Sequence, residues 1–334
     1  MEIPRSLLDH IASLGQTIRD IQGPMVRGSD RVYFRLRLEP GHSLMASIHG
    51  LDRPENASFA AAAQLFKDIG CRVPEVKAYH PGDRWVLQED LGDDSLYDRV
   101  RQGPLEESVC FYEQVIRSIA LLHSQGAQRA ESIAFLPQPA FNLDLYQWEH
   151  AYFMDQLGKR FLGQDWRKEP LQRELDQLSS SMLSQPLVLV HRDLQSQNVQ
   201  IHRGKAVLID LQGTRLGPAI YDLVSLLEDP YVDLPEELKD RLLRQYDHIR
   251  ACPPRWSTTS RVYLAASCQR LMQALGAYAF LSLERNRMEY QQHIPKALLR
   301  LRQRAHRLGF PHLGQIADTA LDLNYSCTGS PSQI

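Results

Sequence analysis

Several things are scarce in this sequence of 334 residues, and each scarcity excludes something. Net charge is nearly absent: 38 basic against 40 acidic side chains leave a formal charge of -2. With no long Lys/Arg run either, the concentrated basic field that duplex nucleic acid requires is missing, and no nucleic-acid partner is expected. Cysteines number only five, Cys71, Cys110, Cys252, Cys268 and Cys327. Scattered and never in a C-x-x-C pair, they fit neither a disulfide framework nor a zinc knuckle and read as reduced thiols of a cytoplasmic protein. Long apolar runs are lacking too. Runs such as LVLV at Leu187–Val190 and AVLI at 206–209 are strand-sized, far short of the roughly 18 residues of a membrane span. The opening MEIPRSLLDHIASLG carries charges where a secretion signal needs a continuous apolar stretch. Neither a membrane nor export is expected.

What is present suits an ordinary globular protein, with 43% hydrophobic and 23% charged residues, and the length suggests two packed units or one large enzyme-like fold. The first ninety residues read as strand-rich. After a helix at 4–14, VYFRLRL at 32–38 alternates apolar and polar side chains with the period of a half-buried strand. The turn residues EPGH at 39–42 then lead into a second strand at 43–48, a hairpin. ENASFAAAAQLFKDIG is rich in helix formers and ends at Gly70. Two further strands are expected at 75–80 and 85–89. At Asp90 the character changes, and beyond the connector LGDDSL helical spacing dominates: 95–101 with Ser95 as its cap, 105–124, 144–162, Glu169–Leu183, and most of 220–321. An island of short strands at Leu187–Val190, Val199–His202 and 205–209 interrupts the helices.

That island carries the chemistry. It reads LVLVHRDLQSQNVQIHRGKAVLIDLQGTRLGPAIYDLVSLL, with His191-Arg192-Asp193, then Asn198 five residues later, and Asp210 at the end of the strand 207–209. Two carboxylates and a carboxamide at strand ends suit phosphoryl transfer, in which the protein mainly positions reactants and neutralises charge. One carboxylate accepts the hydroxyl proton, and hard oxygen donors hold Mg2+. Asp193 fits the base, Asn198 and Asp210 the metal ligands.

The block resembles the aminoglycoside phosphotransferase and choline kinase group of the protein-kinase-like fold, with its H-x-D-x-x-x-x-N and following I-D. IDLQGTRLGPAIYDLVSLLEDPY is similar to the I-D-F-Q-D-x-x-x-G-P-x-x-Y-D-L-x-S-L-L-x-D-x-Y stretch of the anomeric sugar kinases of cell-wall recycling, which phosphorylate N-acetylmuramate and N-acetylglucosamine. GSDRVYFRL, VPEVKAYHPGDRWVLQEDLGDDSL and QRLMQALGAYAFLSLERNRMEYQQHIPKAL resemble further blocks of that group, so the match spans about 25–302. The resemblance implies an α+β, bilobal fold. A small N-terminal antiparallel sheet lobe with one helix (1–91) would cover the nucleotide, a larger mainly helical lobe (92–324) would bind substrate and catalyse, and 325–334 would be a flexible tail. It implies ATP and Mg2+ as cofactors and an amino sugar as small-molecule acceptor, in a cytoplasmic monomer.

The departures are specific. The third-strand segment SLMASIHG has no lysine, and ENASFAAAAQLF has no mid-helix acid to pair with one. Another cation must then serve the triphosphate: Arg31 beside the small-residue loop, or Arg35, with Arg37 on the same strand face. Leu211 replaces an aromatic, Gln212-Gly213 stands where Gln-Asp is expected, and Gln195 replaces a catalytic-loop histidine. Glu89 marks the nucleotide-base position through its backbone. YQWEHAYF offers Tyr146, Trp148 and Glu149 to a sugar, with Gln212 as a further substrate contact. Asp222 is expected to support the catalytic loop without touching substrate. Competing readings are a kinase of aminoglycosides or another small alcohol, and a nucleotide-binding pseudokinase.

Overall fold

The computed structural model describes residues 2–26, 31–51, 53–133, 135, 137–253 and 255–328. The small-residue loop at 28–30 and the chain from 329 onward lie outside the described residues. The protein divides into two compact units, one of Met1–Gln138 with Gln197–Thr214, the other of Pro139–Ser196 with Arg215–Ile334.

The first unit is built on a five-stranded antiparallel sheet of β1 (Ile18–Val26), β2 (Arg31–Leu38), β3 (His42–His49), β4 (Val76–His80) and β5 (Trp85–Glu89), in the order β1-β2-β3-β5-β4. The expected hairpin is β2–β3, whose register runs from Arg31↔His49 to Leu38↔His42. Its alternation is strict: Val32, Phe34, Leu36 and Leu38 are buried while Arg37 is exposed. Helix α1 (Arg5–Ser13) lays Leu7 and Ile11, one turn apart, on that apolar face beside Trp85 and Leu87. Strand β1 has no counterpart in the sequence pattern. Its IRDIQGPMV does not alternate and is mostly exposed, because an edge strand needs only its partner's ladder. Gly23 and Pro24 sit where the register slips between Gln22 and Met25.

Helix α2 (Phe59–Asp68) follows a 3-10 turn, and α3 (Leu96–Gln102) starts on the expected Ser95, in a reciprocal capping box with Asp98. Helix α4 (Leu105–Ser132) runs past the expected stop at 124, since SQGAQRAES contains one glycine among good helix formers. The hairpin of β7 (Val199–His202) and β8 (Lys205–Leu208) belongs to this unit: the Leu208 N–H donates to the Arg72 carbonyl at 2.9 Å and the Ile201 N–H to that of Asp94 at 2.7 Å.

The second unit is helical around one small ladder. Its helices are α5 (Leu143–Phe153), α6 (Glu169–Leu183), α7 (Ala219–Leu227), α8 (Glu236–Ile249), α9 (Arg261–Glu284), α10 (Ile294–Leu308) and α11 (Pro311–Thr328). The single helix expected at 144–162 is two pieces, α5 and a π-helical stretch at Met154–Phe161. All nine residues of α7 are buried, as its apolar sequence demands. The ladder pairs β6 (Leu187–Val190) with β9 (Arg215–Pro218), a strand too short and too rich in glycine and proline to show in the sequence. Gly217 is required there: a Cβ would lie 2.5 Å from Phe141 Cδ2 and 3.0 Å from Val190 Cγ2. Among the described residues, no helix is long and apolar enough to cross a membrane.

A buried ion network closes the end of α7. Glu228 accepts from Tyr263 Oη (2.6 Å), Lys239 Nζ (3.1 Å) and Arg304 Nη2 (2.8 Å), and Glu236 accepts from the same lysine and arginine at 2.9 and 2.6 Å. Burial opposes the Glu236 charge, yet Arg304 and Lys239 outweigh it and hold the carboxyl down at about 2, from an ordinary 4.5. A carboxylate lowered on folding stabilises the native state above its unfolded pKa, and that stability is lost as pH falls through the folded one. The Tm of Glu236→Gln should therefore lie below that of the native protein at neutral pH and converge on it between pH 4.5 and 2. Parallel Tm curves through that window would show that Glu236 contributes no acid sensitivity.

Candidate active site

The catalytic-loop sequence begins where β6 ends. Two backbone N–H groups that leave the ladder there, those of His191 and Arg192, donate to Asp222 Oδ2 at 2.7 Å and Oδ1 at 2.8 Å. Asp222 lies fully buried on α7, so the expectation that it supports this loop is met by geometry. Arg192 is held at φ 77°, a left-handed conformation rare for a non-glycine residue. The loop turns through Asp193, whose carbonyl accepts the Gln195 N–H at 3.1 Å. The Asp193 side chain keeps 30% exposure, with Arg192 Nη1 3.8 Å from its Oδ2. His191 is buried, as a core histidine.

The loop crosses into the first unit after Ser196. There the β7–β8 register pairs Val199 with Leu208, and the Ile209 N–H donates to the Asn198 carbonyl at 3.0 Å. Asn198 and Asp210 therefore lie at the same open end of one hairpin. Asp210 adopts φ 69°, ψ 41° before the 3-10 turn Leu211–Gly213, another left-handed non-glycine residue of the kind that collects at functional sites. Its Oδ1 takes the Arg31 guanidinium and the Gln212 Nε2, the latter at 3.0 Å, and Gln212 Oε1 accepts from Arg31 Nη1 at 3.0 Å. Asp210 is 26% exposed. Asp210 is a part-exposed carboxylate that already attracts a cation, and Asn198 lies at the same hairpin end; a carboxylate and a carboxamide are oxygen donors of the hard kind that suits Mg2+.

The other candidates are placed as follows. Arg35 is held by Asp90, 2.8 Å from its Nε, and by Asp93 at 2.7 and 2.9 Å; the Asp93 hydrogen bonds raise its pKa. The structure thus gives Arg35 to the connector after β5, and Arg31, not Arg35, to Asp210. The Glu89 carboxylate accepts from Arg72 and from the Glu75 N–H at 3.2 Å, while its own N–H donates to the Glu75 carbonyl at 2.8 Å. Arg37 is exposed near Asp20.

In the second unit Glu149 is fully buried and accepts from Tyr221 Oη at 3.2 Å and Gln269 Nε2 at 2.9 Å. Burial pushes its carboxyl up, against the pull of Arg192. Gln269 Oε1 lies 2.7 Å from His150 Nε2. Tyr146 is fully buried beside Phe141, and burial raises its phenol. Trp148 is 52% exposed and stacks on Tyr152 at 5.1 Å. Tyr146 and Glu149 are thus shut from solvent while Trp148 faces it.

Three arginines that sequence reasoning did not single out lie close to this loop or to Glu149. Arg192 sits inside the motif itself. Arg215, cross-strand partner of Val190, places its guanidinium 5.8 Å over the Phe141 ring. Burial and the Arg192 charge push it down to about 10, against the pull of Asp193, Tyr221 and Glu149. Arg270, nearly buried, donates from Nε to Ser225 Oγ at 3.1 Å. The Q-R of QRLMQALG was the signal for Gln269 and Arg270, but only burial shows that they stand behind Glu149 and Ser225.

Comparison with known proteins places the chain in a family. A family model described as a phosphotransferase enzyme family matches residues 26–258. A Neisseria meningitidis N-acetylmuramate/N-acetylglucosamine kinase is 26% identical over 287 residues, covering 83% of this chain and 83% of its own. A Pseudomonas aeruginosa protein of the same name is 25% identical over 71% of this chain and 70% of its own. Among solved structures, a choline/ethanolamine kinase family protein from Mesorhizobium loti aligns with a TM-score of 0.58 at 15% identity, over 90% of this chain and 92% of its own. The aminoglycoside phosphotransferase APH(2")-IIa in complex with gentamicin aligns at 0.57 and 14%, over 93% and 99%. These likenesses establish the protein-kinase-like fold. With the family model covering most of its length and the named kinases among its relatives, the chain belongs to the phosphotransferase enzyme family and is a phosphotransferase acting on a hydroxyl acceptor.

Proposed function

We propose that the protein is an ATP- and Mg2+-dependent sugar kinase that transfers the γ-phosphate of ATP to a hydroxyl of an amino sugar, N-acetylglucosamine or N-acetylmuramate, at the anomeric position. It works as a cytoplasmic monomer, residues 1–91 covering the nucleotide and 92–324 binding the acceptor. The observation that carries the reading is the Asp193 loop, clamped through two backbone N–H groups by a buried carboxylate while Asp193 itself keeps access to solvent. The two named N-acetylhexosamine kinases support the acceptor class.

Asp193 takes the proton of the acceptor hydroxyl as its oxygen bonds to the γ-phosphorus. The bond from that phosphorus to the β–γ bridging oxygen breaks, and ADP leaves with the electron pair. Asn198 and Asp210 would hold Mg2+, which when bound would supply charge neutralisation to the phosphate oxygens. Arg31, already on Asp210 and Gln212, takes over the triphosphate role of the missing lysine, as a forked donor matched to phosphate. Glu89 presents its backbone to the nucleotide base. Gln212 is assigned to the acceptor, as are the buried Tyr146 and Glu149, the latter held by Tyr221 and Gln269.

Incubation with ATP, Mg2+ and a sugar panel should yield one ADP per phosphorylated hexosamine, with phosphorus NMR showing an anomeric phosphate. No turnover on N-acetylglucosamine, N-acetylmuramate or related hexosamines sinks the sugar reading. Turnover of aminoglycosides or choline instead would place the protein with other small-alcohol kinases, and stabilisation by ATP and Mg2+ without product would make it a nucleotide-binding regulator.

A further inference from the structure

The catalytic loop is gripped at a second point. Ser196, fully buried at its far end, donates its N–H and its hydroxyl to Asp229 Oδ2, at 2.7 and 2.6 Å. Asp229, 1% exposed, uses its other oxygen, Oδ1, to accept the Tyr231 N–H at 3.0 Å. Asp229 does not float. Its carbonyl and that of Glu228 accept from Arg300 Nη1 on α10, at 2.6 and 3.1 Å, and Arg300 Nη2 reaches the Val232 carbonyl and, at 2.7 Å, Asp233 Oδ1. One buried guanidinium therefore fixes the backbone of the segment that carries Asp229.

We propose that Asp229 is a positioning residue for phosphoryl transfer: with Asp222 at the near end and Asp229 at the far end, the loop is held on both sides of Asp193, which cannot pivot away from the acceptor hydroxyl. The inference rests on the reading of Asp193 as the base. Its physical basis is the number of acceptors. Three donors converge on Asp229, two on one oxygen and one on the other, and only a carboxylate accepts on both sides. A carboxamide turns one side into a donor and must abandon either Ser196 or Tyr231. A loop anchored at one end alone is free to move by fractions of an ångström, and transfer rates are steep in such displacements.

The experiment uses the full chain with Asp229→Asn, Ser196→Ala and the double variant. Asp229→Asn should lower kcat by about 10- to 100-fold with the KM for ATP within about twofold, since the loop and not the nucleotide site is loosened. Ser196→Ala, which removes one of the two donors, should have a smaller effect. Adding it to Asp229→Asn should change little, because both act through one contact. Hydrogen exchange gives a readout independent of any acceptor: peptides spanning 191–198 should exchange faster in Asp229→Asn while those of α9 remain as in the native protein. A lowered Tm with native kcat and native loop protection overturns the proposal, as do losses that multiply in the double variant. If the native protein phosphorylates no hexosamine, the proposed acceptor is wrong, and exchange in the loop still decides the role of Asp229.

Discussion

Replacing Asp193 with alanine is expected to reduce kcat by about 10²- to 10⁴-fold, the range a positioned general base contributes, while nucleotide affinity stays within about threefold. The asymmetry follows from where the residue sits. Asp193 occupies a loop whose backbone is fixed by Asp222, so loss of its side chain leaves those two hydrogen bonds to Asp222 in place. Asp210 and Arg31, proposed for the metal and the triphosphate, hold each other and Gln212 in the other compact unit. Steady-state turnover beside calorimetric titration with ATP and Mg2+ separates the two quantities. Loss of both together would mean that Asp193 belongs to the nucleotide site and that the base lies elsewhere. Near-native turnover would remove it from the chemistry altogether.

Asp222→Ala is expected to have the largest effect on stability. The substitution strands two buried N–H donors, on His191 and Arg192, that now bond a carboxylate at 2.7 and 2.8 Å. Hydrogen bonds to a charged group contribute about 1.5–3 kcal/mol each, so the loss is on the order of 3–6 kcal/mol. Native stabilities are only about 5–15 kcal/mol. The variant should unfold at a much lower urea concentration or fail to accumulate as folded protein. Asp222→Asn keeps the shape and one acceptor oxygen, and should lie between it and the native protein. A native-like urea midpoint for Asp222→Ala would show that the loop finds other partners and that the clamp contributes little.

The reach of sequence reasoning differs from element to element. The β2–β3 hairpin was legible because one of its faces is buried and the other is not, which writes a period of two into VYFRLRL. Strand β1 was invisible because its stability comes from the ladder of β2, a property of its neighbour and not of its own side chains. Strand β9 was hidden for a related reason: RLGP is four residues long and exists only because β6 pairs with it. The same distinction runs through the site. Asp193, Asn198 and Asp210 lie within eighteen residues of one another, in a motif set by the local geometry of strand ends, and so could be read directly.

Arg35 shows where that reading stops. It shares β2 with Arg31 and looks as good a partner for phosphate, but the fold hands it two carboxylates, Asp90 and Asp93, and hands Asp210 to Arg31. Similar side chains four residues apart are separated by what the chain brings near them from more than fifty residues away. The sequence by itself determined the family, the two-part fold and the phosphotransferase class, and it nominated a base and two oxygen ligands, because these are written in residue type and short spacing. Only the tertiary structure decided which cation meets Asp210, that Glu149 and Tyr146 are closed from water, and that Asp222 and Asp229 grip the loop from both sides. Those outcomes depend on burial and on contacts between residues distant in the chain, and neither is a local property of sequence.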